Sequence, residues 1–275
     1  MKLLKQLLNF YINSSIHVAL SVFSLTWITL IEFDFKFDKT ILLFVFFASI
    51  TGYNFVKYFG LAKFHHRRLA SWLKVIQIFS FLCFLLMCFY AYKLNNNALL
   101  FIVGFGVVTF LYAIPFIPKR FFLDKNQNLR TISGLKIYII ALVWSGVTVF
   151  LPLINNQFNI SDDVVLTGIQ RFIFVMVLML PFEIRDLQYD SLKLSTIPQK
   201  IGVKQTKIIG VLLLMVFFFL EFFKDEIDVN KVIILLIITF VMLLFLMFSK
   251  KEQGKYYSSF LVEGIPIIWL ILLFI

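Results

Sequence analysis

The chain has 275 residues, 61% of them hydrophobic and only 15% charged, with 36 phenylalanines and a formal net charge of +11. A soluble domain is near half apolar and about a quarter charged. This composition, with a mean hydropathy of +0.93, excludes a soluble globular domain, a disordered chain and a secreted disulfide scaffold. It leaves an integral membrane protein that crosses the bilayer several times.

A crossing helix takes roughly 20 mostly apolar residues. Such runs are predicted at 16–33, 38–60, 72–92, 97–117, 133–153, 163–182, 205–223, 229–249 and 257–275. They lack the alternation of a lipid-facing strand, so helices are expected rather than a barrel. Ahead of the first run, Lys2 and Lys5 precede Leu3, Leu4, Leu7, Leu8, Tyr11 and Ile12, which share one helical face. That pattern predicts a short interfacial helix. No small-residue cleavage site follows the first run, so the segment is expected to be retained. Cys83 and Cys88 both fall in the third run, facing different sides, and read as packing residues.

Charge orients the runs. With the N-terminus in the cytoplasm, 20 of the 26 Lys and Arg fall on inside segments. Five (Lys36, Lys39, Lys93, Lys224 and Lys231) fall outside, and Arg171 sits within a span. This is the positive-inside asymmetry, and it puts the C-terminus outside. The surplus charge is therefore a topology signal. Spread over separate membrane loops, it does not form a nucleic-acid surface. The expected architecture is one all-α transmembrane domain over 1–275. A bacterial inner membrane is suggested by analogy, although an organelle membrane would carry the same pattern.

Two inside loops, 54–72 and 183–204, are long and rich in functional groups. Each follows an even-numbered span, which suggests two four-helix halves plus one helix. In the second loop Glu183, Asp186 and Asp190 are spaced i, i+3, i+7 and share a helical face. Three carboxylates so placed repel one another unless a cation sits among them. Oxygen-only ligands favour magnesium, and a solvated acidic helix end is the plainer alternative. Lys119 and Arg120 close the fourth span and Lys136 opens the fifth, at the same membrane face. Magnesium ringed by such cations suits a diphosphate. Each cation alone is equally explained by topology or by lipid head groups. Arg171 and Glu263 are the ionisable residues deep in spans and are expected to pair with each other.

On these residues the chain resembles the UbiA superfamily of intramembrane prenyltransferases. The resemblance covers most of the length. It rests on the nine-helix count, the Glu183–Asp190 motif and the Thr196-Ile197-Pro198…Gly202 tail. Tyr112…Pro115…Lys119-Arg120, Gly134-Leu135-Lys136 and Trp144 support it. It implies a helical bundle with two cytoplasmic cap loops and magnesium held by Glu183, Asp186 and Asp190. It further implies an isoprenyl diphosphate contacted by Lys119, Arg120 and Lys136, and a lipophilic acceptor alkylated in an apolar cavity. Tyr112, Tyr189 and Trp144 become candidates for cavity contacts. Arg185 lies off the carboxylate face and is expected to brace the loop. His65 and His66 read as head-group contacts, and no residue stands out as the base for the acceptor's proton.

One departure is large. The family's first motif is an Asn followed by several Asp at helical spacing. Here Asn54 is present, but Phe55, Tyr58 and Ala62 stand where the Asp residues would fall. Asn54, Lys57 and Tyr58 share a face, joined by His65 and Arg68 if the helix continues. In one reading Lys57 and Arg68 contact the diphosphate in place of a second metal, and Asn54 orients substrate or metal-bound water. Losing carboxylates and gaining a cation shifts the site charge in the direction an added metal would. In a second reading metal binding is too weak for ionisation, and the protein is a non-catalytic relative that binds a lipid or a partner. A small-molecule transporter is a third.

Overall fold

The computed structural model describes residues 2–64, 71–113, 135–188 and 196–275, and every regular element among them is helical. The order is α1 (Lys2–Asn13), α2 (Ile16–Glu32), α3 (Lys39–Phe64), α4 (Ser71–Ala91) and α5 (Asn96–Ala113). There follow α6 (Leu135–Ser145), α7 (Leu151–Asn155), α8 (Asp162–Asp186), α9 (Ile197–Phe219), α10 (Val229–Phe248) and α11 (Ile265–Leu272). A π-turn at Gly146–Phe150 joins α6 to α7, and another at Tyr257–Val262 leads towards α11.

Among the described residues six rods are long and apolar enough to cross a bilayer: Lys39–Tyr58, Trp72–Ala91, Leu135–Asn155, Asp162–Asp186, Ile197–Phe223 and Val229–Phe248. The chain is an integral membrane protein. Helices α1 and α2 would make a seventh crossing together, bent by 58°. The expected fourth and ninth spans are shorter apolar helices, Asn96–Leu111 and Tyr257–Leu272. Helix α1 is the expected N-terminal helix. Leu4 and Leu7 are exposed on it, and it turns into α2 through Ser15, whose φ is 62°. Cys83 is buried and Cys88 exposed, which agrees with their facing different sides.

The described parts of both functional loops are largely helix, which corrects the expected boundaries. Helix α3 runs on to Phe64, α8 to Asp186, and α9 starts at Ile197 rather than near 205. Polar residues prolong a helix beyond the apolar stretch whenever its ends are satisfied, so hydropathy alone stops too early. At the start of α9, Gln199 Oε1 accepts the Thr196 backbone N–H at 3.0 Å and Pro198 occupies the first turn. Proline suits that position because its missing N–H has no intrahelical partner there. Gly202 then breaks the ladder at φ 81°, ψ 160°. That region is essentially restricted to glycine.

Helix α8 is the centre of the bundle. Ser161 caps it by accepting from Val164 N, Asp162 and Asp163 sit in its first turn and Arg185 in its last. This charge order complements the helix dipole. Ser145 Oγ donates to Gly168 O at 2.6 Å, fixing α6 against α8. Phe174, Phe217 and Trp269 meet tilted or edge to face with centroids 5.2–6.0 Å apart, joining α8, α9 and α11.

Arg171 does not pair with Glu263. Its NH2 lies 3.6 Å from Glu32 Oε2 and 3.4 Å from Thr29 Oγ1, with the guanidinium 5.0 Å from the Trp269 ring centre. Helical side chains lean towards the N-terminus. On α8 that direction carries the guanidinium to the end of α2, while Glu263 lies at the other end of the bundle.

Candidate functional site

The site gathers where α8 ends. Glu183 and Asp186 are one turn apart, and Glu183 is only 2% exposed although it is a carboxylate. Lys136, in the first turn of α6, stands between them. Its Nζ lies 3.5 Å from Glu183 Oε1 and 3.4 Å from Asp186 Oδ2. The two carboxylates therefore converge on one cation. Arg185 binds the other oxygen of Asp186, with Nε at 2.9 Å and NH2 at 2.7 Å from Oδ1. Its guanidinium also covers the Phe182 ring at 5.3 Å. Arg185 thus braces its neighbouring carboxylate directly.

Pro181, just upstream, lacks an N–H, and its carbonyl accepts from Gln253 Nε2 at 3.1 Å. Gln253 Nε2 also donates to Ser258 Oγ. This ties the carboxylate end of α8 to the π-turn before α11.

Opposite, Asn54, Lys57 and Tyr58 all reach the α1–α2 corner. Asn54 Oδ1 accepts from Ser15 Oγ at 2.8 Å, and its Nδ2 donates to Ser14 O at 2.9 Å and Ser80 Oγ at 2.8 Å. Lys57 Nζ and Tyr58 Oη both donate to Asn13 O, at 3.2 and 2.7 Å. The expected shared face is real, and its polar groups secure a turn of backbone. Trp144 is buried and donates from Nε1 to Tyr53 Oη at 2.7 Å.

This bundle matches solved structures along its whole length. A UbiA homologue from Aeropyrum pernix K1 aligns with a TM-score of 0.66 at 14% identity, covering 94% of this chain and 98% of that one. A structure concerned with digeranylgeranylglyceryl phosphate synthase in membranes aligns at 0.57 and 18% identity, covering 99% and 97%. A UbiA homologue from Archaeoglobus fulgidus aligns at 0.50 and 12% identity, covering 100% and 98%. The chain has the UbiA fold. No protein-family model and no curated protein matches it.

On the UbiA fold the predicted site residues divide into three groups. Glu183, Asp186 and Lys136 are brought together. Asn54 and Lys57 meet the α1–α2 corner. Asp190, Lys119, Arg120, Arg68, Tyr189, His65 and His66 lie outside the described residues, as does the side chain of Tyr112. Among the described residues no three His, Cys, Asp or Glu side chains form a metal-binding group. The described part of the acidic motif is the Glu183–Asp186 pair.

The sequence reading missed His17 and the surroundings of Tyr11 and Glu263 at this end of the bundle. His17 is 4% exposed and sits between Tyr11 Oη and Phe260 O, each 2.8 Å from a ring nitrogen. Glu263 follows the π-turn, within electrostatic reach of Lys57, Arg185 and Tyr11. His17 carried a signal, being an ionisable residue within an apolar run. Nothing in the sequence signalled its pairing with Tyr11 across the α1–α2 bend.

Proposed function

We propose that the protein is a magnesium-assisted intramembrane prenyltransferase, transferring an isoprenyl group from its diphosphate to an aromatic or other lipophilic acceptor. The membrane would be a bacterial cytoplasmic one, with the N-terminus inside and the C-terminus outside. One observation carries the reading: buried Glu183 and half-buried Asp186 converge on a single cation at the end of the central helix of a UbiA fold.

The donor set fits magnesium, which takes oxygen ligands, commonly from one or two carboxylates together with substrate phosphates. Glu183 and Asp186 would hold it, with Asp190 completing the motif. When bound, the ion supplies positive charge against the departing diphosphate. The chain's own residues do the rest. Lys136 faces the carboxylates and would donate to diphosphate oxygens, alongside Lys119, Arg120 and Arg68. Lys57 would replace the charge that the missing acids of the first motif bind elsewhere in the family. Asn54 would act on substrate through the lone pair its three hydrogen bonds leave over. Breaking the C1–O bond builds negative charge on the bridging oxygen, and preorganised cations in a low-dielectric site stabilise it. The apolar bundle keeps water from the allylic cation, and aromatic faces attract it.

The test is the affinity of purified protein for farnesyl or geranylgeranyl diphosphate, with magnesium and with chelator, in wild type and Asp186→Ala. Chelation and Asp186→Ala should each weaken binding by roughly 100-fold, since loss even of a group supporting a metal ligand costs 10–100-fold. Equal affinity in all four conditions favours a second reading, a non-catalytic lipid- or partner-binding relative. That reading also has an observation behind it: Lys136 and Arg185 pair with these carboxylates and balance their charge.

A further inference from the structure

Arg171 is a buried charge that the prenyl-transfer chemistry does not use. Its side chain is 1% exposed. Glu183 lies about 18 Å further along α8, at 1.5 Å per residue. We propose that Arg171 belongs to a water-binding site at the end of the bundle away from the carboxylates, in which water bridges Arg171 to Thr148, Thr167 and Glu32. This inference does not depend on the prenyltransferase reading.

Among the described residues eight buried side-chain atoms have no hydrogen-bond partner. Five of them sit on three packed elements, α2, the π-turn after α6, and α8: Glu32 Oε2, Thr148 Oγ1, Thr167 Oγ1, and Nε and NH1 of Arg171. Thr167 and Arg171 are one turn apart on the same face of α8, and the lean of helical side chains points the guanidinium towards the Thr167 turn. Thr29 and Glu32 are likewise one turn apart on α2. Thr29 Oγ1 donates to Leu25 O at 3.2 Å and accepts from Arg171 NH2 at 3.4 Å. Glu32 Oε2 stays 3.6 Å from NH2, close enough for charge but not for a hydrogen bond. The π-turn carrying Thr148 packs on both α2 and α8. It is fastened to Gly168, the neighbour of Thr167, on either side of Thr148. Ser145 Oγ donates to Gly168 O at 2.6 Å, and the Phe150 ring occupies the space beside Gly168, where a Cβ would lie 2.6 Å from it.

Buried polar groups are hydrogen-bonded, because burying them bare forfeits their hydration. The composition of this set selects the ligand. The N–H of Nε and the two of NH1 need an acceptor, the carboxylate oxygen needs a donor, and the hydroxyls take either role. An anion would suit the guanidinium but is repelled by Glu32, and a cation would suit Glu32 but is repelled by Arg171. A neutral molecule that accepts and donates at once serves both. Water does so, and buried water commonly makes about three hydrogen bonds to otherwise unsatisfied groups. An aromatic layer bounds the site. Trp269 covers the guanidinium with its ring centre 5.0 Å away. Phe174, one turn nearer the carboxylates, and Phe217 pack against Trp269, and both are at most 1% exposed. This layer stands between the water and the carboxylate end, where a transport path would need polar groups. The water therefore serves the contact between helices.

The experiment uses the full chain in lipid nanodiscs. Proton-detected solid-state spectra of arginine-labelled protein read the magnetisation passed from water to the Arg171 Nε–H, with Arg171→Lys assigning the signal among the six arginines. The expected result is a water signal at Arg171 that weakens in Thr167→Val, with an Nε shift that stays fixed when chloride is exchanged for gluconate. An Arg171 that receives nothing from water overturns the site. An Nε shift that moves with chloride overturns water in favour of an anion. Unfolding by SDS in mixed micelles supplies the second readout. Thr148→Val and Thr167→Val keep the shape of the side chain and remove its hydroxyl. Each should lower the SDS fraction at the midpoint if water joins that hydroxyl to Arg171. A bare buried hydroxyl replaced by a methyl group would instead leave the midpoint unchanged or raise it. That result in either variant overturns the bridge.

Discussion

Asn54→Ala separates two roles for the first-motif asparagine. The side chain is 4% exposed and makes three hydrogen bonds of 2.8–2.9 Å, to Ser15 Oγ, Ser14 O and Ser80 Oγ. Each net bond is worth about 1 kcal/mol in proteins generally, and about 0.6 kcal/mol on average between membrane helices. Losing all three should cost about 2–3 kcal/mol. Ser80→Ala removes one of the three and should cost about a third as much. The double variant should then be less destabilised than the two singles added, because they share a bond. Reversible unfolding by SDS in mixed micelles, followed by ellipticity, measures these differences. An Asn54→Ala protein that unfolds with the wild type yet loses donor affinity would refute the reasoning. It would show that the amide serves substrate and not the α1–α2 corner.

Two further substitutions test the frame around the site. Arg171→Met strands Glu32 and should destabilise by about 3–5 kcal/mol, whereas Arg171→Met with Glu32→Met should recover most of the loss; the same unfolding assay decides, and equal loss in both would contradict the pairing. Gly202→Ala forces a side chain into a glycine-only conformation and should cost about 1–3 kcal/mol. A neutral result would mean that α9 does not break there.

The apolar runs located the membrane-crossing rods, six of them long enough among the described residues, because burial in lipid writes itself into composition over whole turns. Asp186 and Glu183 were legible for a related reason: three carboxylates at i, i+3, i+7 stand out in a chain so poor in charge. The ends of α3, α8 and α9 were not legible, because caps and hydrogen bonds, rather than hydropathy, decide where a helix stops. Partners across the bundle were hidden as well. Arg171 and Glu263 looked like natural mates as the two deep charges, yet the lean of α8 side chains sends Arg171 to Glu32. Asn54 was recognisable as a motif residue, but its attachment to Ser14, Ser15 and Ser80 depends on the bend between α1 and α2, which no periodicity encodes. Tyr11 and His17 meet through that same bend, and the π-turn brings Phe260 O to the His17 ring; both are local departures from regular geometry.

The burial of the rods is uneven, and this sets where the sequence is free to drift. The most apolar stretch of α8 is 72% buried, against 11% for α4. Most of α4 needs only to be oily: Phe81, Leu82, Leu85 and Phe89 are exposed, and lipid accepts any side chain of that character. Residues of α8 are confined from several sides, so a change there must be answered by a neighbour. A bundle built this way can exchange most of its letters on the rim while its hub keeps the helices in place, which accounts for a shared fold at 12–18% identity.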